Sequence, residues 1–127
     1  MPIYKYVKAQ SFIGTNLDAY PSLVRDSVSQ ITEYWVKKLK STSKNRHRFI
    51  SRTGTLVSSI ESEMYYLSGK VYIAESVAPY AKYVYRGQRS WAPDRFIHNA
   101  YNDLEPKMSD SITRVLDQAF TEYLGLK

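Results

Sequence analysis

The chain has 127 residues, 43% hydrophobic, 24% charged and 14% aromatic: enough apolar material for one core and too little length for two. It contains no cysteine, which excludes a disulfide scaffold, a thiolate metal site, an iron–sulfur cluster and a cysteine nucleophile. The net charge of +6 is local: Lys37, Lys38, Lys40, Lys44, Arg46, Arg48 and Arg52 form a run with no acidic residue, and without these seven the 18 basic residues fall to eleven against twelve acidic ones.

In chain order, Ile3-Tyr4-Lys5-Tyr6-Val7-Lys8 is rich in β-formers and reads as a strand or extended arm within residues 1–19, with Gly14-Thr15-Asn16 as a turn. Val24, Val28, Ile31, Trp35 and Leu39 recur at steps of three and four, which predicts a helix over about 20–41. Pro21 suits its first turn, Asp26 the positive end of its dipole, and Lys37, Lys38 and Lys40 the negative end. Residues 41–48 are polar and unperiodic and read as an exposed part of a basic loop over 40–52. Thr53 or Thr55 can then cap a short helix burying Leu56 and Ile60.

Glu63 to Tyr66 and Lys70 to Glu75 are β-rich runs flanking Leu67-Ser68-Gly69, the pattern of a hairpin. Pro79 and Gly87 bracket a short helix containing Tyr80, Tyr83 and Tyr85. Asp94 can cap a turn into Phe96, Ile97 and Ala100. Pro106 predicts a kink or restart, and Met108, Ile112, Val115, Ala119, Phe120 and Tyr123 predict a C-terminal helix to about Leu124. The order implies a single α+β domain: an N-terminal amphipathic helix, a hairpin-based antiparallel sheet, short helices and a long C-terminal helix.

Motifs for enzyme chemistry are missing. The five glycines are isolated, so no phosphate loop forms, and no GxSxG elbow occurs. Glu61 and Glu63 can point one way on a strand, but read as exposed residues of a sheet edge; a hydrolase built on them with His98 is a remote alternative. His98, next to Phe96 and Ile97, reads as a partly packed structural histidine, and His47 has no partner at ligand spacing. The expectation is a non-enzyme without cofactor or metal. No apolar run approaches the ~20 residues of a membrane span, and the first residues lack a signal-peptide layout, so no membrane partner is expected.

Two segments suit partners. The cations Lys40, Lys44, Arg46, Arg48 and Arg52 can meet phosphates or the carboxylates of a neighbouring protein. Arg86, Arg89, Trp91, Arg95 and Phe96 interleave cations with aromatics, as single-strand-binding surfaces do. Twelve tyrosines exceed what a small core hides, so several should lie at the surface, where tyrosine favours interfaces. Tyr80, Tyr83, Tyr85, Arg86, Arg89, Trp91 and Arg95 are the candidate subunit interface. A small basic nucleic-acid-binding protein using Lys37–Arg52 and the loop at 86–96 is one reading of these features.

Thr53-Gly54-x-Leu56-x-x-Ser59-Ile60, Tyr80-Ala81-x-Tyr83-Val84-x-x-Gly87 and Pro93-x-x-Phe96-Ile97-x-x-Ala100 occur in that order around a hairpin and before a long helix. The series resembles the head–tail joining (neck, or tail-completion) family of tailed double-stranded DNA bacteriophages. Tyr85-Arg86 stands where the family has an acidic residue before the glycine, and Asn99 where it has proline. The resemblance implies a non-catalytic virion protein that assembles in the host cytoplasm and takes its place at the neck. It would form or cap a ring there, between the head connector or portal and the tail terminator or tail tube. Its partners would be copies of itself, those neighbours and DNA passing through the neck.

Overall fold

The helix beginning at Ser22 organises the rest of the molecule. In a computed structural model that describes residues 3–45, 55–74, 85 and 95–125, α1 spans Ser22–Asn45 and buries Val24, Val28, Thr32, Trp35, Val36, Leu39 and Ser43 along one stripe. The Pro21 carbonyl accepts from the N–H groups of Val24 and Arg25, both at 3.0 Å, so the proline stands just ahead of the first turn. Thr32, a polar residue in that stripe, satisfies its hydroxyl by donating to the Val28 carbonyl at 2.7 Å.

Before α1, β1 (Tyr4–Lys8) leads into two single 3-10 turns at Ala9–Phe12 and Leu17–Ala19. Gln10 ties them together, its amide donating to the Thr15 carbonyl and its carbonyl accepting from Leu17 N–H, both at 2.8 Å. The one-turn helix α2 (Thr55–Ser58) precedes β2 (Ile60–Met64) and β3 (Ser68–Ile73). The sheet order is β1-β3-β2, antiparallel throughout. After the hairpin, α3 runs from Phe96 to Tyr123 and buries Phe96, Ile97, Ala100, Tyr101, Leu104, Met108, Ile112 and Leu116.

The sheet has one dry face. Val7, Val71, Ile60 and Ile73 join the core with α1 and α3, which pack on each other. Each fully buried aliphatic or aromatic side chain contributes about 1.5–3 kcal/mol. Gly69 leaves room for a close approach of α1 to the strands: a Cβ there would lie 2.6 Å from Val36 Cγ2.

Four expectations need correction. Residues 41–45 are helix rather than loop: the buried stripe of α1 continues past Leu39 to Ser43, which is fully buried. Lys40 and Lys44 are therefore helical, and a mobile basic loop cannot begin at 40. Ser68 and Gly69 belong to β3, and Tyr65–Leu67 make the connection, because Tyr65 N–H pairs with the Ser68 carbonyl at 2.8 Å and tightens the turn. Ile60 is buried from a strand rather than as the i+4 partner of Leu56 in a helix. Finally, α3 runs through Pro106 without a break. Pro106 is exposed, so the Asn102 carbonyl that it leaves unbonded can turn to water, and the stripe Leu104, Met108, Ile112 keeps both halves on the core.

Candidate docking surfaces

The end of α1 carries the described part of the cationic run. Lys37 pairs with Glu33 at 2.9 Å one turn back. Lys40 Nζ lies 3.8 Å from a Glu61 carboxylate oxygen on β2, with about a third of the lysine side chain and nearly half of the glutamate exposed. Such exposed pairs contribute about 0–1 kcal/mol, but they lower the net cationic density at this end. Lys44 sits in the last turn, where its charge opposes the helix dipole. Arg46, Arg48 and Arg52 lie outside the described residues.

Among the candidate interface residues, Tyr80, Tyr83, Arg86, Arg89 and Trp91 also lie outside the described residues, as do Asp94 and the bracket Pro79 and Gly87. Tyr85 is described, and it points inward at 7% exposure, a place that leaves its ring little to offer a neighbouring subunit. It meets Phe96 and His98 edge to face. Its hydroxyl accepts the His98 backbone N–H at 3.0 Å and hydrogen-bonds the His98 ring at Nδ1. Arg95, exposed, stands at the N-cap of α3 without a side-chain capping bond. Burial, followed by the charges of Lys5 and Arg95, holds His98 below the ordinary histidine range, so its ring is neutral at neutral pH. The partly packed, structural reading of His98 fits this geometry. The tyrosine hydroxyl satisfies one of the backbone N–H groups in the first turn of α3.

The outer sheet face is the feature that sequence reasoning did not assemble. Strand alternation and register put three rows on it: Tyr4–Tyr72–Glu61, Tyr6–Lys70–Glu63 and Lys8–Ser68, with Tyr65 following at the turn. Lys70 lies over the rings of Tyr72 (5.1 Å) and Tyr4 (6.0 Å), and Lys8 over Tyr6 (5.0 Å). Glu63 accepts from the hydroxyls of Tyr65 (2.8 Å) and Tyr72 (3.4 Å). The Glu63 hydrogen bond raises the Tyr65 pKa, and burial with the nearby carboxylates raises that of Tyr72. Both phenols thus stay protonated donors. Glu61 and Glu63 do share a face, as expected, but each already has partners, and His98 stands on a different element beside Tyr85. The signal in the sequence was the alternation Tyr4-x-Tyr6-x-Lys8; pairing it with Glu61-x-Glu63 required the sheet order.

Five described tyrosines are more than about two-fifths exposed (Tyr4, Tyr34, Tyr65, Tyr66 and Tyr123), in line with the expected surplus at the surface. Tyr66 reaches back to hydrogen-bond the Asp26 carboxylate on α1, which gives Asp26 a tertiary contact, and Asp26 stands past the first turn of the helix. Among the described residues no group of three or more His, Asp or Glu side chains is placed to hold a metal, and no helix is long and apolar enough to cross a membrane. In comparisons with known proteins, no family model, no curated protein and no solved structure matches the chain.

Proposed function

We propose that the chain is a non-catalytic virion protein of a tailed bacteriophage, acting at the neck by forming or capping a ring between head and tail. The observation that carries the reading is the ordered series Thr53-Gly54-x-Leu56-x-x-Ser59-Ile60, Tyr80-Ala81-x-Tyr83-Val84 and Pro93-x-x-Phe96-Ile97-x-x-Ala100. A generic basic protein has no physical reason to contain it. The architecture is compatible: an amphipathic α1, a hairpin between the first and second motifs, and a long helix that starts inside the third. A closing ring needs two different faces on each subunit. The tyrosine-rich sheet face, and the aromatic and arginine residues at 80–95, are material for such faces.

The nucleic-acid reading draws less support, since Lys37 and Lys40 already pair with Glu33 and Glu61. The deciding experiment removes the gene from the phage genome that encodes it. The expected result is DNA-filled heads and free tails that purified chain joins when added back. Normal virions without the chain, or its absence from purified virions by mass spectrometry, would overturn the proposal.

A further inference from the structure

The three-stranded sheet has two outer edges, β1 and β2, and their chemistry is opposite. β1 is Tyr-Lys-Tyr-Val-Lys, with two lysines and no acid; β2 is Ile-Glu-Ser-Glu-Met, with two glutamates and no base. The outer face repeats the polarity, with the donors Tyr4, Tyr6 and Lys8 along one side and the acceptors Glu61 and Glu63 along the other.

The hydrogen-bond phase shows which main-chain groups point outward. Ile73 N–H donates to the Ile3 carbonyl at 3.1 Å and Ala9 N–H to the Leu67 carbonyl at 3.0 Å. In an antiparallel ladder the residues facing a partner alternate, so Lys5 and Val7 face β3 while Tyr4, Tyr6 and Lys8 turn their N–H and C=O away. Likewise Tyr65 N–H to Ser68 and Ala74 N–H to Ser59, both 2.8 Å, turn Ile60, Ser62 and Met64 of β2 away from β3. Since Ile60 is fully buried, the open part of this edge is Ser62 and Met64. Among the described residues no backbone bond reaches the outward groups of Tyr4, Tyr6, Ser62 and Met64, whereas the Lys8 carbonyl opens the 3-10 turn Ala9–Phe12. The Lys8 carbonyl alone has a side-chain donor, Ser11 Oγ at 2.6 Å.

Unpaired edges invite another strand, and charge decides which. Pairing β1 with β1 of a second copy sets lysine against lysine; pairing β2 with β2 sets glutamate against glutamate. Like charges across strands destabilise the pairing, and opposite charges stabilise it. We infer that a second copy of this chain docks by sheet extension, with the acidic β2 edge of one copy against the basic β1 edge of the next. β1 and β2 are both antiparallel to β3 and so run in the same direction; a joint repeated from copy to copy is therefore parallel. The contact is head to tail, uses a different edge on each side and closes into a ring if its rotation allows. The inference takes from the preceding reading only that copies of this chain assemble.

Proline removes one outward N–H, and Tyr6→Pro and Ser62→Pro each do so without touching a bond to β3. At low salt and up to about millimolar concentration, the unaltered chain should sediment as a species larger than a dimer that dissociates as salt is raised. Each proline variant alone should be a monomer, and the mixture a one-to-one dimer through the single intact joint. A β1-blocked or β2-blocked variant that still forms homodimers overturns the inference, as does an unaltered chain that stays monomeric. Should either proline variant unfold, Lys8→Glu and Glu61→Lys/Glu63→Lys replace the pair: each monomeric alone, oligomeric when mixed. A chain that restores head–tail joining but shows no such joint removes this inference and leaves the neck reading. One that assembles through its edges but has no effect on joining does the reverse.

Discussion

Adding one methyl group at Gly69 tests how closely α1 is fitted to the sheet. The Cβ of Gly69→Ala would lie 2.6 Å from Val36 Cγ2, 2.9 Å from the Glu63 carbonyl oxygen and 3.1 Å from Met64 Sδ. Carbon atoms settle at ~3.5–4.0 Å, so the Val36 methyl must retreat by about 1 Å. Val36 is 2% exposed and has no open side to move into. The second obstacle is backbone in the β2–β3 ladder, which cannot move without spoiling the Glu63–Lys70 pairing. Overpacking of this kind costs ~1–3 kcal/mol, and a backbone obstacle puts the cost in the upper half. With about 2.1 cal/mol/K of unfolding entropy per residue, a chain of this length loses ~7–11 °C in melting temperature for a 2–3 kcal/mol loss. Thermal unfolding followed by circular dichroism measures it. In the Gly69→Ala background, Val36→Ala removes one of the three obstructions, so the double variant should lose ~0.5–2 kcal/mol less than the sum of the two single changes. An alanine variant that melts within about 1 °C of the original, or two losses that simply add, would refute the account of this contact.

His98 adds a pH dependence. Its folded pKa lies below the unfolded value of ~6.5, so the unfolded chain binds the extra proton first: stability is complete above that value and declines as pH falls through the folded one. Urea midpoints at pH 5 and 7.5 should therefore differ more for the original protein than for His98→Gln; equal differences would remove the effect. Pro106→Ala restores a helix bond at an exposed position and should stabilise by ~1–3 kcal/mol; an unchanged or lower urea midpoint would show that the helix gains nothing there. Replacing Lys44, Arg46 and Arg48 with serine should change stability by no more than ~1 kcal/mol, mostly through the lost Lys44 interaction with the helix dipole. The same replacement should impair head–tail joining, and normal joining over a range of salt would show that the cations are only a solvated surface.

Where the sequence was legible, one period ruled a long segment. Val24, Val28, Trp35 and Leu39 marked the face that α1 buries, and Met108 and Ile112 marked that of α3. Boundaries were less legible because tertiary contacts moved them. Ser43 looks like loop by composition, yet full burial extends the helix past it. Pro106 looks like a stop, yet an exposed proline in a helix held on both sides can be carried through. The hairpin lay where the β-rich runs placed it, but Gly69, which resembles a turn glycine, is a packing glycine in the first part of β3. Tyr85 shows the same limit at a candidate site. Its composition and neighbours suggest a surface anchor, and nothing in the local pattern announces that its hydroxyl meets a helix start thirteen residues on.

Charged residues on a sheet edge ordinarily guard against unwanted pairing, so their presence alone does not mark an interface. What distinguishes this sheet is the sign. Two edges carrying the same sign repel a second copy in either orientation. A lysine edge on one side and a glutamate edge on the other forbid the two symmetric pairings while leaving one directional pairing open. Lys8 is the β1 lysine on the face that carries Glu61 and Glu63, since Lys5 lies on the core side over the Tyr101 ring. An opposed charge pair contributes only ~0.2–1 kcal/mol, so charge chooses the partner edge and the main-chain bonds of the joint must supply most of the attraction. The Lys40 contact to Glu61 and the tyrosine contacts to Glu63 leave carboxylate lone pairs for a further donor, because each carboxylate can accept about four hydrogen bonds. On the assembly proposed above, a subunit so built is discouraged from forming the closed dimers that would remove it from a growing ring. That selectivity, more than raw affinity, is what such an assembly would require of its surface.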